Sequence, residues 1–205
     1  YDASGNGNAG TLVNMNTTGN ATSGWADGRF GNALQFDGVN DYVDAGNGAS
    51  LNNVFGSEIF TLEAWVYPKD WVNYRGIINK RSSNYYSASP GGLFADTSGI
   101  KFIIGTGNDA ETSTIINYKP TLNNWHHIAG TARRINSTHT NMTLYVDGVI
   151  RGSALTTIDP QTNNNATTIG AVYANSRSFN GTIDEVRVWS KAFSPDETVA
   201  MKQII

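Results

Sequence analysis

The strongest constraint on the fold is an alternation of period two that recurs along most of the chain. In Thr61-Leu-Glu-Ala-Trp-Val-Tyr67, Leu62, Ala64 and Val66 fall on one face of an extended segment, and Glu63, Trp65 and Tyr67 on the other. Thr143-Leu-Tyr-Val146 alternates in the same way and runs into Asp147-Gly148, with Val149-Ile-Arg151 as the return. Asp-Gly between two such runs is a hairpin signal, because both turn residues must take positive φ. A chain patterned this way folds by pairing strands, not by packing helices.

Further strands are expected at 33–36, 42–45, 76–80, 92–95, 101–105, 112–116, 125–133, 166–169 and 182–189, separated by Gly, Asn, Asp and Ser clusters. Many short strands at this spacing predict an all-β protein, a two-sheet antiparallel jelly-roll sandwich. One helix signal stands near the end. Ser194-Pro195-Asp196-Glu197 puts a hydroxyl at the N-cap, proline at the first helical position and glutamate at the third, which predicts a short C-terminal helix to about Gln203. No linker, charge block or repeat divides the chain, so residues 1–205 are expected to form a single domain.

Composition removes several functional classes. With 14 Lys and Arg against 17 Asp and Glu, and a formal charge of −3, there is no basic stripe, so no nucleic-acid partner is expected. No apolar run reaches the ~20 residues of a membrane helix, so no membrane insertion is expected. The absence of cysteine excludes a disulfide scaffold, a thiolate zinc site and a thiol nucleophile. No signal peptide is visible, which reads as an intracellular chain or an excised mature segment.

A set of linked blocks then carries a family resemblance. They are Asp2-Ala-Ser-Gly-Asn-Gly-Asn8 running on to Val13, Asp27-Gly-Arg-Phe-Gly31 leading to Gln35-Phe-Asp-Gly-Val-Asn-Asp-Tyr-Val43, and Phe60-Thr-Leu-Glu-Ala-Trp-Val66. Trp125-His-His-Ile-Ala-Gly-Thr131, Leu144-Tyr-Val-Asp-Gly148, Phe179-Asn-Gly-Thr-Ile-Asp-Glu-Val-Arg-Val-Trp189 and Phe193-Ser-Pro-Asp-Glu197 follow in order. In this order the blocks resemble the laminin-G-like (LamG) jelly-roll domains of the concanavalin A-like lectin/glucanase superfamily. The resemblance implies a secreted or cell-surface location, often as a module of a larger microbial protein. It implies binding, most often of carbohydrate, and it does not name the ligand.

The loop Asp2–Asn8 is dense in oxygen donors and glycine, and from the residues alone it reads either as a turn or as a curl around an ion. Its oxygens suit Ca2+, and no nitrogen or sulfur donors nearby favour zinc or copper. The resemblance implies that this loop closes against the aspartate of the late Ile-Asp-Glu-Val strand, here Asp184. The expected ligands of a structural Ca2+ are therefore Asp2, Asn6, Asn8 and Asp184.

No catalytic set emerges, and the chain is expected not to be an enzyme. Glycoside hydrolysis needs two carboxyls about 5–9.5 Å apart. The five glutamates are Glu58, Glu63, Glu111, Glu185 and Glu197, and no two lie within four residues of each other. Glu63 has no evident partner, while Glu185 and Arg187 stand two apart on a strand and read as an ion pair. His126 and His127 point to opposite faces and cannot form one site. No Gly-x-Ser-x-Gly elbow or phosphate-cradling loop is present.

Flat aromatic faces beside planar polar groups suit sugars, and binding residues favour loops on a rigid scaffold. Three loop segments combine these features: Trp71 to Arg75, Arg81 to Ser89, and Tyr173 to Arg177. The candidate ligand contacts are Trp71, Tyr74, Arg75, Tyr85, Tyr86, Tyr173 and Arg177, while Trp65, Trp125 and Trp189 read as framework. The expected function is a non-catalytic, calcium-stabilised, extracellular carbohydrate-binding module whose partner is a cell-surface glycan. The alternative is a structural or cell-adhesion domain with a protein ligand, or a spacer.

Overall fold

The computed structural model describes residues 1–16, 23–72, 74–81, 89–107, 113–173 and 177–201. In chain order the elements are β1 (Thr11–Val13), β2 (Gly24–Asp27), β3 (Asn32–Asp37), β4 (Tyr42–Asp44), α1 (Ala49–Phe55), β5 (Phe60–Pro68), β6 (Arg75–Lys80) and β7 (Gly91–Asp96). They continue as β8 (Gly99–Gly105), β9 (Ser113–Tyr118), β10 (His126–Arg134), β11 (Thr140–Val146), β12 (Val149–Thr156), β13 (Thr167–Ile169), β14 (Asn180–Trp189) and α2 (Pro195–Met201). Sheet 1 runs β1-β4-β13-β6-β7-β8-β9, and sheet 2 runs β12-β11-β10-β5-β14-β3-β2, each with seven strands. Every strand pairing among the described residues is antiparallel, so the two sheets form the expected jelly-roll sandwich.

The alternation of β5 explains its central place. Leu62, Ala64 and Val66 are wholly buried between the sheets with Phe36, Phe60 and Phe102. Burying a Leu or Val side chain is worth roughly 1.5–3 kcal/mol, so a strand patterned like this is drawn to the middle of a sheet. Its other face, Thr61, Glu63 and Trp65, is also buried, although it points away from the core. Side chains from β10, β14 and the β2–β3 turn cover it. That second covered face is not visible in a period-two pattern.

The Asp147–Gly148 turn takes φ values of 57° and 77°, as an Asp-Gly hairpin requires. At the far end the capping box forms. The Ser194 N–H donates to Glu197 Oε2 at 2.9 Å, and the Glu197 N–H donates to Ser194 Oγ at 3.3 Å. The helix is described to Met201, and its continuation to 203 lies outside the described residues. Two edge strands, β1 and β2, and the helix α1 were not anticipated. The helix starts after Gly48 with no side-chain cap, and only Leu51, Val54 and Phe55 mark its buried stripe. No described helix is long and apolar enough to cross a membrane.

Candidate functional site

Three of the expected ligand contacts meet on the outer face of sheet 1, where Tyr173 is part-exposed and Arg177 exposed, whereas Tyr74, expected to touch a ligand, is only 7% exposed because its ring packs on Phe94. Along β7 and β8, Leu93, Ala95, Phe102 and Ile104 enter the core, while Phe94 and Ile103 project from the opposite face. Tyr74, just before β6, stacks on Phe94 with ring centroids 4.9 Å apart and planes 19° from parallel. Val172 completes a small buried cluster there, and the half-exposed Tyr173 packs against it. The Phe94 ring lies where a side chain at Gly92 would stand, since a Cβ there would be 2.4 Å from Phe94 Cε2. Two guanidiniums face the same tyrosine. The Cζ atoms of Arg81 and Arg177 lie 5.0 Å and 5.8 Å from the Tyr74 ring centroid, within cation–π range.

Backbone ties fix this arrangement. The segment carrying Tyr173 lies so close to β6 that a Cβ at Gly76 would be 2.1 Å from the Ala171 carbonyl oxygen. Asn79 Nδ2 donates to that oxygen at 2.8 Å and to Thr168 Oγ1 at 3.2 Å. The Gly76 N–H donates to the Arg177 carbonyl at 3.2 Å, and the Gly170 N–H to the Ile77 carbonyl at 3.0 Å. Segments remote in sequence are thus held against one strand.

The other expected contacts go elsewhere. Trp71 is turned into the core, with Nε1 donating to the Pro120 carbonyl at 3.2 Å. Arg75 acts as a clamp. It pairs with Asp70 at 3.5 Å, donates to the Val72 and Gly38 carbonyls at 3.0 Å each, and also donates to the Ser178 carbonyl. Tyr85 and Tyr86 lie outside the described residues.

The expected calcium ligands line one groove of about 1390 Å3, which opens beside β1 and β2. The Asp2 carboxylate closes its own loop, accepting from the Asn8 N–H, the Ser4 N–H and the Ser4 hydroxyl at 2.9 Å each. Those donors, the Asn8 N–H foremost, hold the Asp2 carboxyl below its usual range. Asn6 Nδ2 donates to Ser4 Oγ at 3.1 Å, and Asn8 Nδ2 to Ser50 Oγ at 2.9 Å. Asp184 accepts from the Phe30 N–H at 2.9 Å and the Glu185 N–H at 2.8 Å. The donors suit Ca2+ in kind, being hard oxygens. Their protein partners nevertheless satisfy both carboxylates, and among the described residues no three His, Cys, Asp or Glu side chains gather as a metal site.

A further polar cluster, on the outer face of sheet 2, was not foreseen. Glu63 is 1% exposed; its Oε1 accepts from Trp189 Nε1 at 2.9 Å, and its Oε2 lies 3.0 Å from His127 Nε2. Arg187, directly opposite Glu63 in register, approaches Oε1 at 3.6 Å and also pairs with Glu185. The expected Glu185–Arg187 pair therefore forms, while Glu63, read as lacking a partner, has three. Only the β5–β14 register brings Glu63 and Arg187 together, and no local spacing encodes it. A carboxylate this enclosed and this neutralised is not placed to attack or protonate a sugar.

The laminin G-like family model Laminin_G_3, described as concanavalin A-like lectin/glucanases superfamily, matches residues 37–198. No curated protein sequence matches the chain. Among solved structures, the chain is similar to domain 4 of AbnA, a GH43 extracellular arabinanase from Geobacillus stearothermophilus, in complex with arabinotriose. The TM-score is 0.72 at 20% identity, over 98% of this chain and 92% of that one. It is also similar to the binding domain of Paraclostridial Mosquitocidal Protein 1, with TM-score 0.71 at 16% identity, over 98% of this chain but only 48% of that one. The third is the Ruminococcus gnavus IT-sialidase CBM40 bound to alpha2,3 sialyllactose, with TM-score 0.66 at 12% identity, over 83% and 96% of the two chains. At these identities the likeness establishes the shared fold.

Proposed function

The chain belongs to the laminin-G-like family of the concanavalin A-like lectin/glucanase superfamily, and from that premise we propose that it is a non-catalytic, extracellular carbohydrate-binding module. The observation that carries the proposal is the convergence of Tyr74, Tyr173 and Arg177 on the outer face of sheet 1. Half-exposed Tyr173 offers an aromatic surface to the C–H face of a sugar ring, and exposed Arg177 offers planar donors to its oxygens. Two of the similar structures are complexes with oligosaccharides, and one is a domain of an extracellular enzyme, which supports both the ligand class and the location. The enclosure of Glu63 supports a binding role without turnover.

Ca2+ enters this proposal as a structural tether. Asp2, Asn6 and Asn8 on the N-terminal loop and Asp184 on β14 would hold it, and it would supply cross-linking of that loop to the sandwich. What supports this placement is the chemistry of the donors, which are all hard oxygens.

A broad glycan array, read with and without Ca2+, tests the reading. The expected result is a restricted set of bound glycans whose signal falls in Tyr173→Ala. Binding to nothing on the array overturns it and leaves the second reading, adhesion through a protein partner. That reading is favoured by the edge strand β12, whose Val149, Ile150 and Leu155 are each at least half exposed and lie ready for strand addition. Turnover of a bound polysaccharide would overturn the non-catalytic part.

A further inference from the structure

The two long sides of the sandwich differ. Where β9 ends sheet 1 and β12 ends sheet 2, the sheets meet. Thr114 Oγ1 donates to Thr156 Oγ1 at 2.9 Å, the Arg151 guanidinium carbon lies 4.2 Å from the Tyr118 ring centroid, and a Cβ at Gly152 would stand 2.4 Å from Ile116 Cγ2. At the opposite ends, β1 and β2 do not pair with each other among the described residues, and the groove of about 1390 Å3 opens between the sheets there. Leu34, Ile169, Val186 and Val188 line it, and they pack on the core yet stay part-exposed. Trp25 lies directly opposite Leu34 in register, so its indole is on the same inner face. It is nevertheless 62% exposed. An indole directed inward and left uncovered shows that the sandwich ends here before its apolar surface does.

The same groove exposes main chain. β14 pairs with β5 as far as Trp189, but with β3 only from Asn180 to Ile183. Beyond that point one edge of β14 has no strand partner among the described residues, and Ile183 to Ser190, a run of eight residues, lines the groove. The change falls at Glu185, whose φ of 48° coincides with a break in the register with β5. An unpaired edge presents N–H and C=O groups spaced for another strand. The charges at the rim, by contrast, are already matched, Glu58 with Arg134 and Glu185 with Arg187.

We propose that this groove takes an extended segment of a partner protein, which adds as a strand along the free edge of β14 and lays an apolar residue at every second position against Val186, Val188 and Trp25. A strand satisfies edge and floor together, with main-chain hydrogen bonds to the one and alternate side chains on the other. A lipid chain would cover the floor but bury the edge without partners, which is unfavourable for amide groups. At ~3.3 Å per residue the run along β14 spans roughly 26 Å, room for the about five or six residues of an ordinary strand. Because the rim charges are matched, the segment needs no net charge. The groove is separate from the Tyr173 and Arg177 face, so this inference does not depend on glycan binding.

Calorimetric titration of the whole chain with synthetic peptides tests the proposal. The probe is acetyl-Ser-Val-Thr-Ile-Thr-Val-Ser-amide, and its control is the isomer acetyl-Ser-Thr-Thr-Ile-Val-Val-Ser-amide, which has the same composition without the alternation. The alternating peptide is expected to bind about tenfold or more tightly than the isomer. Its affinity should change less than about twofold between roughly 50 and 300 mM salt, because no charge pair forms. Methylating the peptide's amide nitrogens at one alternate set of positions should abolish binding, and at the other set should retain it, since an edge strand turns only every second residue's main chain to its neighbour. Trp25→Ser should weaken binding several-fold with no loss of melting temperature, and Val188→Lys should abolish it. Equal binding of the two isomers, tolerance of both methylated forms, or binding that Trp25→Ser leaves unchanged overturns the inference. Loss of binding in Ile150→Ser instead places the strand on β12, and capture of N-phenyl-1-naphthylamine with no peptide bound gives the groove to an apolar small molecule; either result also overturns it.

Discussion

Replacing Glu63 by alanine removes the shared acceptor of a buried cluster and has a calculable cost. The carboxylate receives Trp189 Nε1 at 2.9 Å and His127 Nε2 at 3.0 Å, and Arg187 Nη1 stands at 3.6 Å. A hydrogen bond to a charged group is worth about 1.5–3 kcal/mol, so the two short contacts total about 3–6 kcal/mol. The lower part of that range applies, because Trp189 is 36% exposed and its N–H gains water, and because Arg187 keeps Glu185. His127 has no such relief, being 1% exposed. The expected loss is about 3–4 kcal/mol, in line with removal of one partner from a buried pair. For a chain of 205 residues that lowers the melting temperature by about 6–16 °C.

Urea unfolding at fixed pH, with calorimetric melting alongside, measures this loss. Glu63→Gln keeps the shape and one acceptor for Trp189, so it should lose about half as much. A double-mutant cycle with His127→Gln should give a coupling above about 1 kcal/mol. A Glu63→Ala variant within about 1 kcal/mol of the parent refutes the reasoning. Because Glu63 lies on sheet 2 and faces away from the Tyr74 cluster, Glu63→Gln should leave glycan affinity unchanged.

Gly76→Ala should destabilise by about 2–3 kcal/mol and weaken glycan binding, because its Cβ would strike the backbone of Ala171 and Val172 beside Tyr173; urea unfolding and the glycan titration check both effects. Asp41 is fully buried, and burial above all, helped by the neighbouring Asp37 charge, raises its carboxyl above 3.8. The folded state therefore holds its proton more tightly than the unfolded chain, and stability should fall as pH rises from near 3.8 until Asp41 is ionised; Asp41→Asn should lack that slope and be at least as stable at neutral pH, and identical slopes would refute the assignment. Chelation should lower the melting midpoint if Ca2+ ties Asp2, Asn6 and Asn8 to Asp184, and Asp184→Asn should abolish the shift; an unchanged midpoint removes calcium from the proposal.

What was legible in the residues is what short-range physics encodes. The alternation of β5, the Asp147–Gly148 turn and the Ser194–Glu197 cap each need only neighbours within a few positions, and each formed as read. The helix α1 was missed because its seven residues carry three buried apolar side chains and no capping hydroxyl. Strands β1 and β2, three and four residues long, are too short for alternation to register. Trp71 and Arg75 look on paper like ligand contacts, since an aromatic and an arginine in a loop suit binding. Which way they turn depends on Pro120, Asp70 and Gly38, and the first and last of these are distant residues that only the folded register supplies.

The two outer faces of the sandwich also settle a question that the alternation leaves open, namely what the non-core half of each strand does. On sheet 2 that half is closed by its own complement, with Glu63 against Arg187 and His127, and Trp65 beside Phe30 at 5.7 Å and Arg29 at 5.0 Å. Charge meets opposite charge there, and substitutions should register as stability. On sheet 1 the corresponding half carries the Lys101–Asp96 pair at 3.0 Å and the buried rings of Tyr74 and Phe94, with the exposed Arg177 guanidinium beside them. Both faces pair opposite charges within the chain, and what sets sheet 1 apart is the exposed Arg177 beside the part-exposed Tyr173. Substitution of exposed Arg177 should therefore register as binding while stability holds, and it is this separation, more than either effect alone, that distinguishes a binding face from a second framework.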